Sequence, residues 1–387
     1  MKIRLQPFLF IFSIFSLISC NQNINDKEIF TLKITDIGSA AKIQLSTIDS
    51  SAELIALHTP DSILIDNIIK LASTDEYLFV SDKRSLYKFD SQGNFISVLN
   101  RQGRGVDEYT GITDFYVEDT NECWILSRAD QTIYHFNPEG ELLSTHTFNQ
   151  WIDKFFKQGD NLYLYLGNET ENNNHRIRVY SLTEKEIINS YLDIDPVKST
   201  YLHVHSTNLF SRNSSSDNLY FFELFNDTIY KISLDEILPS LFISLDSKNI
   251  PTRFFQKGYG NIMEFFQELF KNSYAYGTDL FIESENQYLL SYFYDKKRIL
   301  SILNKNTSEL ISFNTIYEDL HLNGYPIDLT ENTIFLLPGN MLAIVLDSMD
   351  IMQYAEENME EDEILKLKEK IAYTPDLMNA VILLIKV

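Results

Sequence analysis

The chain has 387 residues and a formal charge of −23, with 55 acidic against 32 basic side chains. That balance works against nucleic acids and anionic lipid surfaces, which draw basic patches, and suits a neutral or cationic partner. Two cysteines set against 27 Phe and 22 Tyr place stability in a large packed core rather than in cross-links.

The first twenty residues, MKIRLQPFLFIFSIFSLISC, carry Lys2 and Arg4, then an apolar run from Pro7 to Ile18, then Ser19 and Cys20. This is the pattern of an export signal. Its apolar run falls short of the roughly 20 residues that a permanent helical span takes, so its removal is expected. Leu17-Ile18-Ser19-Cys20 resembles the bacterial lipobox. The resemblance implies cleavage before Cys20, acylation of that cysteine, and a Gram-negative lipoprotein held by several chains, since one alone binds only marginally. Residues 1–19 are then the signal peptide, 20–29 a lipidated tether and 30–387 the folded domain. Only Cys123 remains, which excludes an intramolecular disulfide.

From residue 60 onward short apolar or alternating runs are separated by polar turns, the spacing of an all-β chain. LYKFDSQGNFISVL from Leu86 and IYHFNPEGELLSTH from Ile133 share an acid or amide that opens a turn and a glycine that ends it with a positive φ. Weaker copies start at Ile177, Ile229 and Leu300. Their recurrence at about 45 residues is that of a four-stranded propeller blade. The long last step is taken up by GNIMEFFQELFKN, which has apolar residues at helical spacing near 260–272.

Five units end near Asn314, and the remainder supplies three strands of a sixth, the last being AVILLIKV. The fourth is expected from AELIALH, Ala52 to His58, so that strands from both ends of the chain close the ring and cover its edges. Between them lies a second helical segment near 350–371. Met352, Ala355, Met359, Leu367 and Ile371 form its apolar stripe, and its acids face solvent. The fold class is therefore a six-bladed β-propeller.

The succession AELIALHTPDSILIDNIIKL, SLYKFDSQGNFI, GRGVDEYTGITDF, FNDTIYKI and NAVILLIKV resembles the six-bladed, NHL-like propeller lipoproteins of Gram-negative gut bacteria. Where that family usually reads G-x-G-P-G-E-Y, this chain has Gly103-Arg104-Gly105-Val106-Asp107-Glu108-Tyr109, and Ala380 stands where proline is usual. The resemblance implies anchoring in the outer membrane, periplasmic or surface-exposed, beside systems that take up glycans or peptides.

The glycine-rich stretch NRQGRGVDEYTGITDF lacks the helix that a phosphate cradle requires. It reads as a connection between blades one and two. Such connections border the central channel, so Arg101, Arg104, Asp107, Glu108 and Tyr109 are the candidate rim residues. Gly103 and Gly105 serve backbone shape, Gly105 through a positive φ. His203 and His205 share one face of a strand but lack further ligands, so no metal and no cofactor is expected. No Gly-x-Ser-x-Gly elbow or His-Glu-x-x-His helix is present. These features favour a binding or scaffolding module. A lyase or hydrolase with groups dispersed around the channel and a structural assembly subunit are the alternatives.

Overall fold

The computed structural model describes residues 29–204, 206–213, 216, 218–233, 236–371 and 380–387. The signal, Cys20 and most of the tether lie outside them. Six four-stranded antiparallel sheets are arranged as the blades of a propeller. Blade one comprises Lys70–Ser73, Tyr77–Ser81, Leu86–Asp90 and Phe95–Leu99, and blade two Asp114–Val117, Cys123–Ser127, Thr132–Phe136 and Leu142–Thr147. Blade three runs Lys154–Gln158, Asn161–Tyr165, His175–Ser181 and Glu186–Asp193. Blade four has Phe210–Arg212, Leu219–Phe221, Thr228–Ile232 and Ile237–Ser244, and blade five Phe281–Glu283, Gln287–Tyr294, Lys297–Asn304 and Leu310–Glu318. Each starts at the channel and ends at the periphery.

Burial explains why alternation is weak in some strands and clear in others. Cys123–Ser127 is buried at every position, because both faces of a second strand pack on neighbouring blades. The outermost Leu142–Thr147 alternates, since one of its faces meets water.

The ring closes as expected. Ile334–Leu337, Met341–Asp347 and Ala380–Lys386 form blade six with Glu53–Ala56 as its outer strand, in the register Val381↔Ala56 and Leu383↔Leu54. Val381, Ile382 and Leu383 are fully buried there. The two repeat glycines also behave as expected, with φ of +84° at Gly93 and +81° at Gly140. In the first turn Asp90 Oδ1 accepts the amides of Gln92 and Asn94 at 2.9 and 2.8 Å. Gly93 has a further reason to lack a side chain: a Cβ would stand 2.0 Å from the Ala56 carbonyl oxygen of the closing strand.

Two features depart from the sequence reading. Phe30–Lys33 adds in parallel to the outer strand of blade four, and Ala41–Gln44 does so on blade five. Segments of four residues are too short to declare themselves by periodicity, but they satisfy edges that would otherwise be open. The acidic segment expected as one helix is two, Ser348–Asn358 and Glu361–Lys370. Met359 is extended, and Glu360 starts the second helix through a reciprocal capping box with Glu363. The apolar stripe still packs as read, with Met352, Ala355, Leu367 and Ile371 buried against blades five and six and Met359 partly so. The helix expected near 260–272 is Ile262–Lys271, and Asn261 accepts its Glu264 amide at 3.0 Å.

The long connections share one face of the ring. Segments 100–113, 245–280 and 319–333, and those that begin at 194 and 348, leave strands at the end from which the inner strands start, whereas the opposite end carries short turns such as 74–76 and 91–94.

Candidate functional site: the channel mouth

On the insertion-bearing face, equivalent positions at or before the start of the inner strands converge. Lys70, Asp114 and Lys154 open the inner strands of blades one to three. The Asp114 side chain is 1% exposed, and its Oδ1 lies 2.7 Å from Lys70 Nζ and 3.7 Å from Lys154 Nζ. Its Oδ2 accepts the Phe155 amide at 3.0 Å. Burial holds the Lys70 ammonium below the usual lysine range; the Asp114 charge opposes that shift and Lys154 adds to it. Across the mouth, Asn208 Nδ2 donates to the carbonyls of Asp279 and Ile334 at 3.2 and 2.9 Å, while its Oδ1 accepts the Leu336 amide at 3.0 Å. One side chain thereby ties together blades four, five and six.

Two residues further along each strand, the same side of the chain faces the channel again, as the period of a strand requires. Ala72, Tyr116, Phe156, Phe210 and Pro338 form this second ring. Its aromatic members touch in sequence, with centroid separations of 5.3 Å for Tyr116 and Phe156 and 5.6 Å for Phe156 and Phe210. Together the two rings enclose about 140 Å³. The site is a shallow cavity with a charged collar and an aromatic wall.

None of the loop residues expected at the rim lines this cavity. Arg101 points to the periphery, donates to the Gly140 carbonyl at 3.1 Å and borders a hollow of about 280 Å³ between the outer parts of blades one and two. The outer strand of one blade ends beside the outer hairpin of the next, which carries the start of the loop away from the channel. Arg104 and Asp107 are exposed and, like Arg101, Glu108 and Tyr109, do not line the channel cavity. Glu108 Oε2 accepts the Gly105 amide at 2.7 Å. Tyr109 is fully buried; its hydroxyl donates toward the carbonyls of Arg84 and Leu99 at 3.1 and 3.2 Å and accepts the Arg101 amide at 3.3 Å. Burial pushes its phenol up to about 12. Neither Gly103 nor Gly105 has the positive φ expected of a turn glycine. A Cβ on Gly103 would instead sit 1.9 Å from Glu108 Oε2, so this glycine admits the carboxylate.

Other polar clusters are largely taken up by their own contacts, although the buried Arg176 Nε has no hydrogen-bond partner. His203 meets the Ser199 carbonyl at 2.9 Å, and His205 lies outside the described residues. Glu118, Glu122 and His135 bring three potential ligand atoms within 4.8 Å of one another, an arrangement not anticipated from the sequence. Trp124 Nε1 and Lys157 Nζ engage Glu118 at 2.6 and 3.1 Å, and His135 Nε2 meets Glu122 at 2.8 Å. Between blades three and four, Arg176 and Tyr165 bind Glu223, and burial pushes the Asp227 carboxyl up to about 6 against the pull of Asn249 and Lys198. Only about 30 Å³ remains open beside Arg176 and Glu223, room for little more than a water.

A closed ring of six four-stranded blades defines a β-propeller, a fold that by itself assigns no activity. The chain belongs to the family described as Domain of unknown function (DUF4934), whose model matches residues 29–386. No curated protein matches it. It is similar in fold to the crystal structure of a protein assigned as exported from Bacteroides fragilis, at 18% identity and a TM-score of 0.71, over 93% of this chain and 99% of that one. It is also similar to a member of the DUF4221 family from Bacteroides vulgatus, at 12% identity and a TM-score of 0.54, over 86% and 96% of the two chains.

Proposed function

We propose that this protein is an exported, lipid-anchored binding module of the bacterial cell envelope that takes a small ligand at the channel mouth. The observation that carries the binding role is the cavity of about 140 Å³ lined by the Lys70–Asp114–Lys154 collar and the aromatic ring beside it. Concave, mostly apolar sites with a few converging polar groups are the usual form of ligand pockets. Export is supported by the signal-like start and by the Bacteroides fragilis neighbour, which spans nearly the whole chain. Anchoring rests on Leu17-Ile18-Ser19-Cys20. Placement at the outer membrane beside glycan or peptide uptake follows from the resemblance to propeller lipoproteins.

Localisation is tested by growing cells with a radiolabelled fatty acid. Label is expected in the wild-type protein, which fractionates with membrane, and not in Cys20→Ala. A wild-type protein that never takes up label overturns the anchor.

A further inference from the structure

The collar does not balance its own charge. Of the residues lining the cavity, Lys70, Lys154 and Asp114 are the charged ones, two ammonium groups against one carboxylate. Lys70 forms the close pair with Asp114, at 2.7 Å. Lys154 is left at 3.7 Å, beyond hydrogen-bonding range, with its side chain only 16% exposed and no other partner among the described residues. Asp114 has little left to offer it, since its second oxygen is committed to the Phe155 amide. An ammonium that lines a cavity whose walls offer it no hydrogen-bond acceptor favours a ligand that brings one.

The walls next to it are apolar. Tyr116, Phe156, Phe210 and Leu336 continue the cavity away from the ammonium, and its volume of about 140 Å³ is close to the ~150 Å³ at which an apolar protein cavity admits benzene. We infer that the channel mouth binds an organic carboxylate with an aromatic or compact apolar body, the carboxylate on Lys154 and Lys70 and the body against the Tyr116–Phe156–Phe210 wall. In this low-dielectric setting a charge-assisted hydrogen bond from Lys154 is about twice as strong as a neutral one. A neutral molecule of the same shape offers that ammonium at most an uncharged acceptor and binds more weakly. The charge of an incoming anion also opposes the burial penalty that lowers the affinity of Lys70 for its proton.

This ligand class rests on the proposed binding role, and the test separates the two. Benzoate and its neutral counterpart benzyl alcohol are titrated into purified full-length protein, with lysine side chains followed by NMR after reductive 13C-methylation. Benzoate is expected to bind at least tenfold more tightly and to shift the Lys154 and Lys70 signals. Lys154→Met is expected to lose that tenfold preference, benzoate affinity falling toward that of benzyl alcohol. Equal affinity for the two compounds in the wild-type protein overturns the carboxylate inference and leaves channel binding standing. Absence of binding by both overturns the inference and removes the support for a channel site. Should Lys154→Met not fold, the wild-type comparison of the two compounds decides alone.

Discussion

The glycine-rich loop and the channel collar are built from the same kinds of residue and put them to opposite uses. In the loop, Glu108 turns back on the Gly105 amide, Tyr109 is buried on backbone carbonyls and Arg101 binds Gly140. These polar groups are consumed in fixing the backbone of a short connection. In the collar, one acid serves two lysines and leaves a cation facing a cavity. The difference teaches that a conspicuous motif with satisfied hydrogen bonds is a structural device, whereas a site is marked by a group whose bonding is incomplete.

The contrast is broken most strongly at Asp114. Asp114→Ala leaves two largely buried lysines without a counter-charge, and breaking a buried pair by removing one partner costs about 3 kcal/mol, somewhat less where the lysines keep partial access to water. Urea denaturation measures it, and a loss under about 0.5 kcal/mol would show that solvent already neutralises the collar. In the loop the largest effect is expected from Tyr109→Phe, which removes a buried hydroxyl from three backbone groups and costs about 1–2 kcal/mol without touching benzoate affinity. Reduced benzoate affinity in that variant would join the two regions into one site. The smallest effect is expected from the double replacement of Arg101 and Arg104 by Ala. Stability should stay within about 0.5 kcal/mol, as for surface positions generally, and ligand binding should be unchanged. Loss of binding there would move the site to the loop.

Net charge and local charge also point in different directions. The excess of acids governs approach from a distance, and its field fades over about 10 Å at moderate salt. Within the mouth the nearest charges decide, and there they sum to a cation. A partner judged from the whole-chain charge is neutral or cationic; one judged from the collar is anionic.

The repeat made the architecture legible from the sequence. Turn-forming Asp90 and Asn137, and the glycines three residues after each, require the same hairpin wherever they recur, and the unusually apolar AVILLIKV requires a partner strand. Those are local or near-local demands, set by φ angles, hydrogen bonding and burial. The collar is different in kind. Lys70, Asp114 and Lys154 stand some 40 residues apart, and nothing nearby in sequence marks any of them. Their one shared property is an equivalent place at the start of an inner strand, which aligning the inner strands of the three blades would have exposed. The edge strands at Phe30–Lys33 and Ala41–Gln44 were illegible for a related reason, since parallel pairing to a distant blade leaves no period within four residues. The sequence by itself thus determined the blades, their number and the closure of the ring, because each blade is specified by its own turns and apolar strands. Only the tertiary structure decided which charges meet at the channel, because that meeting depends on the ring bringing remote strands within a few ångströms of one axis.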